Sequence, residues 1–193
     1  MRPTREQAWA LLNQYTQSPS LIKHALAVEA AMRTYAQQFG EDEDLWGITG
    51  LIHDFDYEQH PTLEEHPLVG CAILTELGWP QEIIDAVKGH GRHLDVSRDT
   101  PMAKTLFAVD ELTGLVIACA LVRPSKSLAD LTAKSVKSKW NDKAFARGVS
   151  REDIEQGMAE LGVDRTAHIT TVIEALRTVA GELELDGRLA AAQ

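Results

Sequence analysis

The sequence reads as an all-α protein, a compact helical bundle, and three observations carry that expectation. Apolar residues recur at helical rather than strand spacing in almost every segment. Cap residues and helix stops bracket those segments, and no alternating run with a hairpin turn is found. The 193 residues, 44% hydrophobic and 25% charged, are enough for one domain with a substantial core.

The elements follow in order. Thr4 and Gln7 form a capping box before TREQAWALLNQYT. Ser18-Pro19 starts a long helix carrying Leu21, Ala25, Val28 and Met32, and Gly40 stops it. The acids Glu41 to Asp44 suit the N-terminus of a third helix that runs to about His53. Thr62 and Glu65 suggest a capping box for a helix ending at Gly78, and Pro80 opens another to about His90. Thr100-Pro101 begins a long helix that Arg123-Pro124 ends, and a shorter helical stretch spans Leu128 to Lys139. Ser150 caps REDIEQGMAEL, and Ile169, Val172, Ile173, Leu176, Val179, Ala180 and Leu183 form a last apolar stripe. One domain is expected over residues 1–185, its core at about 18–123 and its C-terminal helices at about 127–185. Residues 186–193 read as a loose tail.

The formal net charge of −10 argues against general nucleic-acid binding, which needs clustered Lys and Arg. Cys71 and Cys119 form no ligand-spaced pair and no disulfide framework, so a cytoplasmic setting is expected. The opening MRPTREQAW has no apolar stretch, so no signal peptide is expected. Leu115 to Val122 is far too short to span a bilayer and reads as buried helix; no membrane partner is expected.

Four polar residues sit where apolar ones belong. His24 lies on the stripe of Leu21, Ala25, Val28 and Met32, while His53 and Asp54 close the apolar end of the third helix. Asp110 shares a face with Phe107, Gly114 and Ile117. A carboxylate buried there costs several kcal/mol unless it is paired, hydrogen-bonded or bound to a cation. Imidazole with carboxylate suits Mn, Fe, Ni, Co, Zn or Mg. A lone histidine on an apolar face is more often a satisfied core residue, so on residue types alone both a metal site and plain core polar groups stay open.

The order His24, His53-Asp54, Asp110 on successive helices resembles the HD superfamily of metal-dependent phosphohydrolases, over about Ser18 to Arg123. The resemblance implies that these four bind a divalent metal and that the substrate is a phosphate ester of a nucleotide or related compound. Glu65 to Gly70, EHPLVG, resembles the HPxxG element of two-metal members; by that likeness His66, His90 and more weakly His93 are ligands of a second ion. The later pair is His90-Gly91-Arg92-His93 rather than two adjacent histidines, and no GYP signature is present, which makes a cyclic dinucleotide substrate unexpected. In some relatives an acid close behind the HD pair activates water, which points to Asp56 or Glu58 as general base. Both also belong to an acidic run, since positions 41–66 carry nine acids and no Lys or Arg. His60 and His168 read as surface residues.

Residues 123–147 reverse the charge, with seven Lys and Arg, Lys143 among them, against Asp130 and Asp142. Arg123 and Lys126 follow the helix of Asp110 and are expected to hold a substrate phosphate. The reading is a metal-dependent phosphohydrolase, with one or two divalent ions, acting on a small phosphorylated metabolite, foremost a nucleotide. The alternatives are a metal-bound sensor or scaffold without turnover and a di-iron oxygenase of the same architecture.

Overall fold

The computed structural model describes residues 2–142 and 144–191; Lys143 of the basic stretch and the last two residues of the expected tail, Ala192 and Gln193, lie outside them. Ten α-helices stand among the described residues, and their one β feature is an isolated bridge between Ser127 and Asp186.

Helix α1 (Arg5–Tyr15) opens on the expected capping box, Thr4 and Gln7 each satisfying the other's backbone N–H. Helix α2 (Pro19–Phe39) has its proline in the first turn and stops at Gly40, whose φ of 70° is left-handed. Ser18 makes no side-chain cap. Instead the Glu58 carboxylate accepts the backbone N–H of Gln17 and of Ser18, at 2.7 and 2.9 Å. Asp42 caps α3 (Glu43–Ile52) through the N–H groups of Asp44 and Leu45.

The Thr62–Glu65 pair does not start a helix. The Thr62 hydroxyl donates to the Glu65 carboxylate at 3.1 Å, the His66-Pro67 bond is cis, and α4 (Leu68–Glu76) begins only after Pro67. Helix α5 (Gln81–His90) follows Pro80, and a 3-10 turn (Arg92–Leu94) leads toward the long α6 (Pro101–Leu121). At the end of α6 the run 115–122 is only partly buried: Leu115 and Cys119 are enclosed, while Val122 is 62% exposed.

The C-terminal third departs more from expectation. Thr132 caps α7 (Ala133–Ser138), so the Leu128–Lys139 stretch is helical only in its second half. Helices α8 (Arg151–Leu161) and α9 (Arg165–Arg177) follow. The last apolar stripe outruns α9, because the chain turns back after Arg177 and Leu185 accepts a hydrogen bond from Leu128 N–H at 2.8 Å. The expected tail is therefore tied at Asp186 and makes a helical turn, α10 (Arg188–Ala191). His168 is buried rather than exposed, its ring held by the Tyr35 hydroxyl and the Ala108 carbonyl.

Two apolar clusters form the interior. Leu12, Ile48, Leu51, Ile52, Phe55, Leu74 and Ile83 of the N-terminal half make one. Val28, Met32, Leu106, Leu112, Ile154, Val172 and Leu176 belong to the other. Helix α2 serves both, Ala25 in the first cluster and Val28 in the second. Helix α8 lies close on α6: a Cβ at Gly157 would stand 2.6 Å from the Ala108 Cα. That packing fixes the middle of α6, where Asp110 sits.

Candidate metal centre

His24 comes from α2, His53 and Asp54 from the end of α3, and Asp110 from α6. His24 Nε2 lies 3.2 Å from His53 Nε2 and 3.0 Å from Asp110 Oδ1. Asp54 Oδ2 closes the group at 3.5 Å from His53 Nε2 and 3.8 Å from His24 Nε2. A second group shares Asp54 through its other oxygen. Asp54 Oδ1 is 3.2 Å from His66 Nε2 and 3.0 Å from His90 Nε2, and the two nitrogens are 3.1 Å apart.

The opposite face of each ring explains why these nitrogens meet. His53 Nδ1 is 2.7 Å from the Gly50 carbonyl and His90 Nδ1 is 2.5 Å from that of Val87, so each nitrogen must carry the proton and donate it. His66 Nδ1 donates to Asp56 Oδ1 at 2.9 Å, and His24 Nδ1 faces the Thr113 hydroxyl at 3.4 Å. That hydroxyl is free to accept, because it donates its own proton to the Asp110 carbonyl. Each Nε2 is then a lone pair in the neutral imidazole, and two lone pairs about 3 Å apart gain nothing from one another. An inserted cation resolves the clash. At metal–ligand bonds of about 2.1 Å, neighbouring ligands stand about 3.0 Å apart in an octahedron and about 3.4 Å in a tetrahedron, the spacing found here. The donor set of imidazole and carboxylate fits a divalent ion in each group.

The electrostatics agree. Burial opposes charge on His53, yet Asp54 and Asp110 hold its pKa well above the ordinary histidine value. Burial also opposes charge on Asp54 and Asp110, and the facing histidines nonetheless keep both carboxyls well below the usual carboxylate range. For His66, burial is outweighed by hydrogen bonds to Asp54 and Asp56, which raise it to about 9. Without metal, these carboxylates draw protons onto the rings in place of a cation.

The two groups floor an open cleft of about 710 Å³. Tyr57, packed edge-on against His66 at 5.2 Å between centroids, Leu21 and Leu63 also line it, as do Arg92, His93, Glu111 and Asp153. Of the expected residues His24, His53, Asp54, Asp110, His66 and His90 converge. His93 reaches only the rim and joins neither donor group.

Four expectations need correction. Asp56 does not face the cleft as a base; it is fully enclosed, one oxygen on His66 and the other 2.7 Å from Gly70 N–H. Only glycine allows this approach, since a Cβ at position 70 would stand 2.8 Å from the Asp56 Cγ. Glu58 is spent on the turn into α2. Arg123 pairs with Asp130 at 2.7 Å and lies past the end of α6, whose eleven residues beyond Asp110 rise roughly 16 Å. Lys126, with a left-handed φ of 44°, lies in the turn beyond, and neither residue lines the cleft. Glu111 is the acid that sequence reasoning missed: burial and the neighbouring Asp110 raise its carboxyl to about 8, and Oε2 accepts Ser150 N–H at 3.0 Å.

Residues 21–115 match the family model of the HD domain. The chain carries an HD domain. This is the domain of a family of metal-dependent phosphohydrolases, and the model's boundaries enclose His24, both donor groups and Asp110. Around and beyond the HD domain, the chain is similar to Ribonuclease Y of Rhodopirellula baltica, 24% identical over 184 residues that cover 87% of this chain and 34% of that protein. Ribonuclease Y of Acholeplasma laidlawii is 26% identical over 177 residues, 86% of this chain and 33% of that protein. Ribonuclease Y of Thermus thermophilus is 29% identical over 106 residues, 54% and 17% respectively. The chain thus spans about a third of the first two relatives, which are 34% and 33% covered. No solved structure matches it significantly. Among the described residues no helix is long and apolar enough to cross a membrane.

Proposed function

We propose that the HD domain hydrolyses a phosphate ester of a small phosphorylated metabolite, a nucleotide foremost, with two divalent ions drawn from Mn, Fe, Ni, Co, Zn and Mg. The observation that carries this reading is the division of Asp54 between two donor groups, Oδ2 toward His24, His53 and Asp110, and Oδ1 toward His66 and His90. Bound ions supply Lewis acidity toward phosphoryl oxygens and an acidified water. The chain's own part is orientation. Nδ1 bonds on the far side of each ring keep Nε2 aimed at the cleft floor, and Asp56 holds His66 while Gly70 holds Asp56. The cleft above them is open enough to admit an ester and its leaving group.

A second substrate class is favoured by the similarity to proteins named Ribonuclease Y: an RNA phosphodiester. The acidic balance of the chain and the four carboxylates lining the cleft favour the small substrate instead. The deciding experiment is a hydrolysis screen of the metal-loaded protein. Release of phosphate from nucleoside monophosphates supports the leading reading, and cleavage of a single-stranded oligoribonucleotide supports the second. Failure on both, with metal bound, supports a sensor or scaffold.

A further inference from the structure

Among the described residues that line the cleft, Arg92 is the one Lys or Arg, against the carboxylates of Asp54, Asp110, Glu111 and Asp153. It starts the 3-10 turn two residues after His90, so it leaves the backbone beside the second donor group. Across from it stands the first turn of α8. Arg92 Nη1 lies 2.6 Å from Asp153 Oδ1 and 3.4 Å from Glu152 Oε2. Glu152 is 83% exposed at its side chain and Asp153 only 17%, so Asp153 is the fixed partner. Its own place is set by Ser150, whose hydroxyl accepts the Asp153 N–H at 3.2 Å and whose N–H is bound by Glu111.

Half of the Arg92 side chain is in water, and an ion pair at that exposure is weak. A phosphate dianion offers a guanidinium two oxygens in the right plane and more charge than one carboxylate. The cleft therefore holds its lone guanidinium on an exchangeable anion.

We propose that Arg92 grips the non-bridging oxygens of the substrate phosphate, and that Asp153 is a built-in competitor which the phosphate displaces. This rests on the phosphohydrolase reading for its substrate, though not for its measurement. The two side chains act with opposite sign. Removing Arg92 weakens phosphate binding; neutralising Asp153 frees the guanidinium and strengthens it.

The test is calorimetric binding of inorganic phosphate to the full chain loaded with Mn, with Mn content and melting temperature checked for each variant. Arg92→Ala should weaken binding about tenfold or more, and Arg92→Lys should retain part of it. Asp153→Asn should tighten binding roughly threefold, and the double variant should match Arg92→Ala because the competitor then has nothing to hold. Unchanged binding in folded, Mn-loaded Arg92→Ala overturns the assignment, as does a wild-type chain that binds no phosphate. An Asp153→Asn variant that weakens binding overturns the competition. Arg92-dependent phosphate binding without hydrolysis of any ester leaves the inference standing and removes the enzyme reading. Hydrolysis with Arg92-independent phosphate binding does the reverse.

Discussion

His66 owes its orientation to Asp56, and Asp56 owes its position to the missing side chain at Gly70. This chain of dependence separates the two donor groups experimentally. Asp56→Asn should cost one ion roughly 10–100-fold in affinity while the ion on His24, His53 and Asp110 stays, read by metal titration with elemental analysis. Loss of both ions together would contradict it. Asp54→Ala, by contrast, removes an oxygen from each group, so metal content and turnover should both fall to background. His24, His53, Asp54 and Asp110 were legible because a polar residue on an apolar stripe is conspicuous. Glu111, Arg92 and Asp153 were not, since charged side chains on a cleft wall follow the same pattern as charged side chains in water. Asp56 was misjudged for a different reason. The tight turns after Ile52 decide which way it points, and spacing does not reveal them.

At the scale of elements, the start and stop signals with a single reading were legible: the capping box at Thr4, Pro19 and Ser150 for starts, and the left-handed Gly40 for a stop. The Thr62–Glu65 pair has the same letters as a capping box, yet its side chains bond each other in a turn. The apolar stripe through Leu183 predicted more helix than α9 contains, because buried residues in a returning loop mimic the helical period. Contact between helices is the least legible quantity, and Gly157 illustrates it. Gly157→Ala brings a methyl group within 2.6 Å of the Ala108 Cα, a backbone atom that cannot swing aside. It should destabilise the fold by roughly 1–3 kcal/mol, seen as a lower urea midpoint at unchanged slope. An unshifted midpoint would mean that α8 moves freely on α6.

For the whole molecule, all-α architecture followed from periodicity, while the basic segment 123–147 showed how little charge balance says about position. His168 supplies a pH dependence. Burial holds its pKa below the ordinary value, and burial raises Tyr35, its hydroxyl partner, to about 12. The unfolded chain therefore binds the proton first as pH falls. The stability contributed by the neutral ring is complete above about pH 6.5 and declines below it. The urea midpoint of His168→Gln should be lower at neutral pH but fall less steeply under acid; parallel slopes for the two proteins would exclude His168 as the source. Comparing the pair isolates it from His53 and His66, whose raised values act with the opposite sign.

Helix α2 carries Ala25 into one apolar cluster and Val28 into the other, while Leu26 packs against both. Neither half can come apart without stripping a side of that helix. Its central amides should accordingly be among the last to exchange with deuterium, at the rate of global opening, and melting should proceed as a single event.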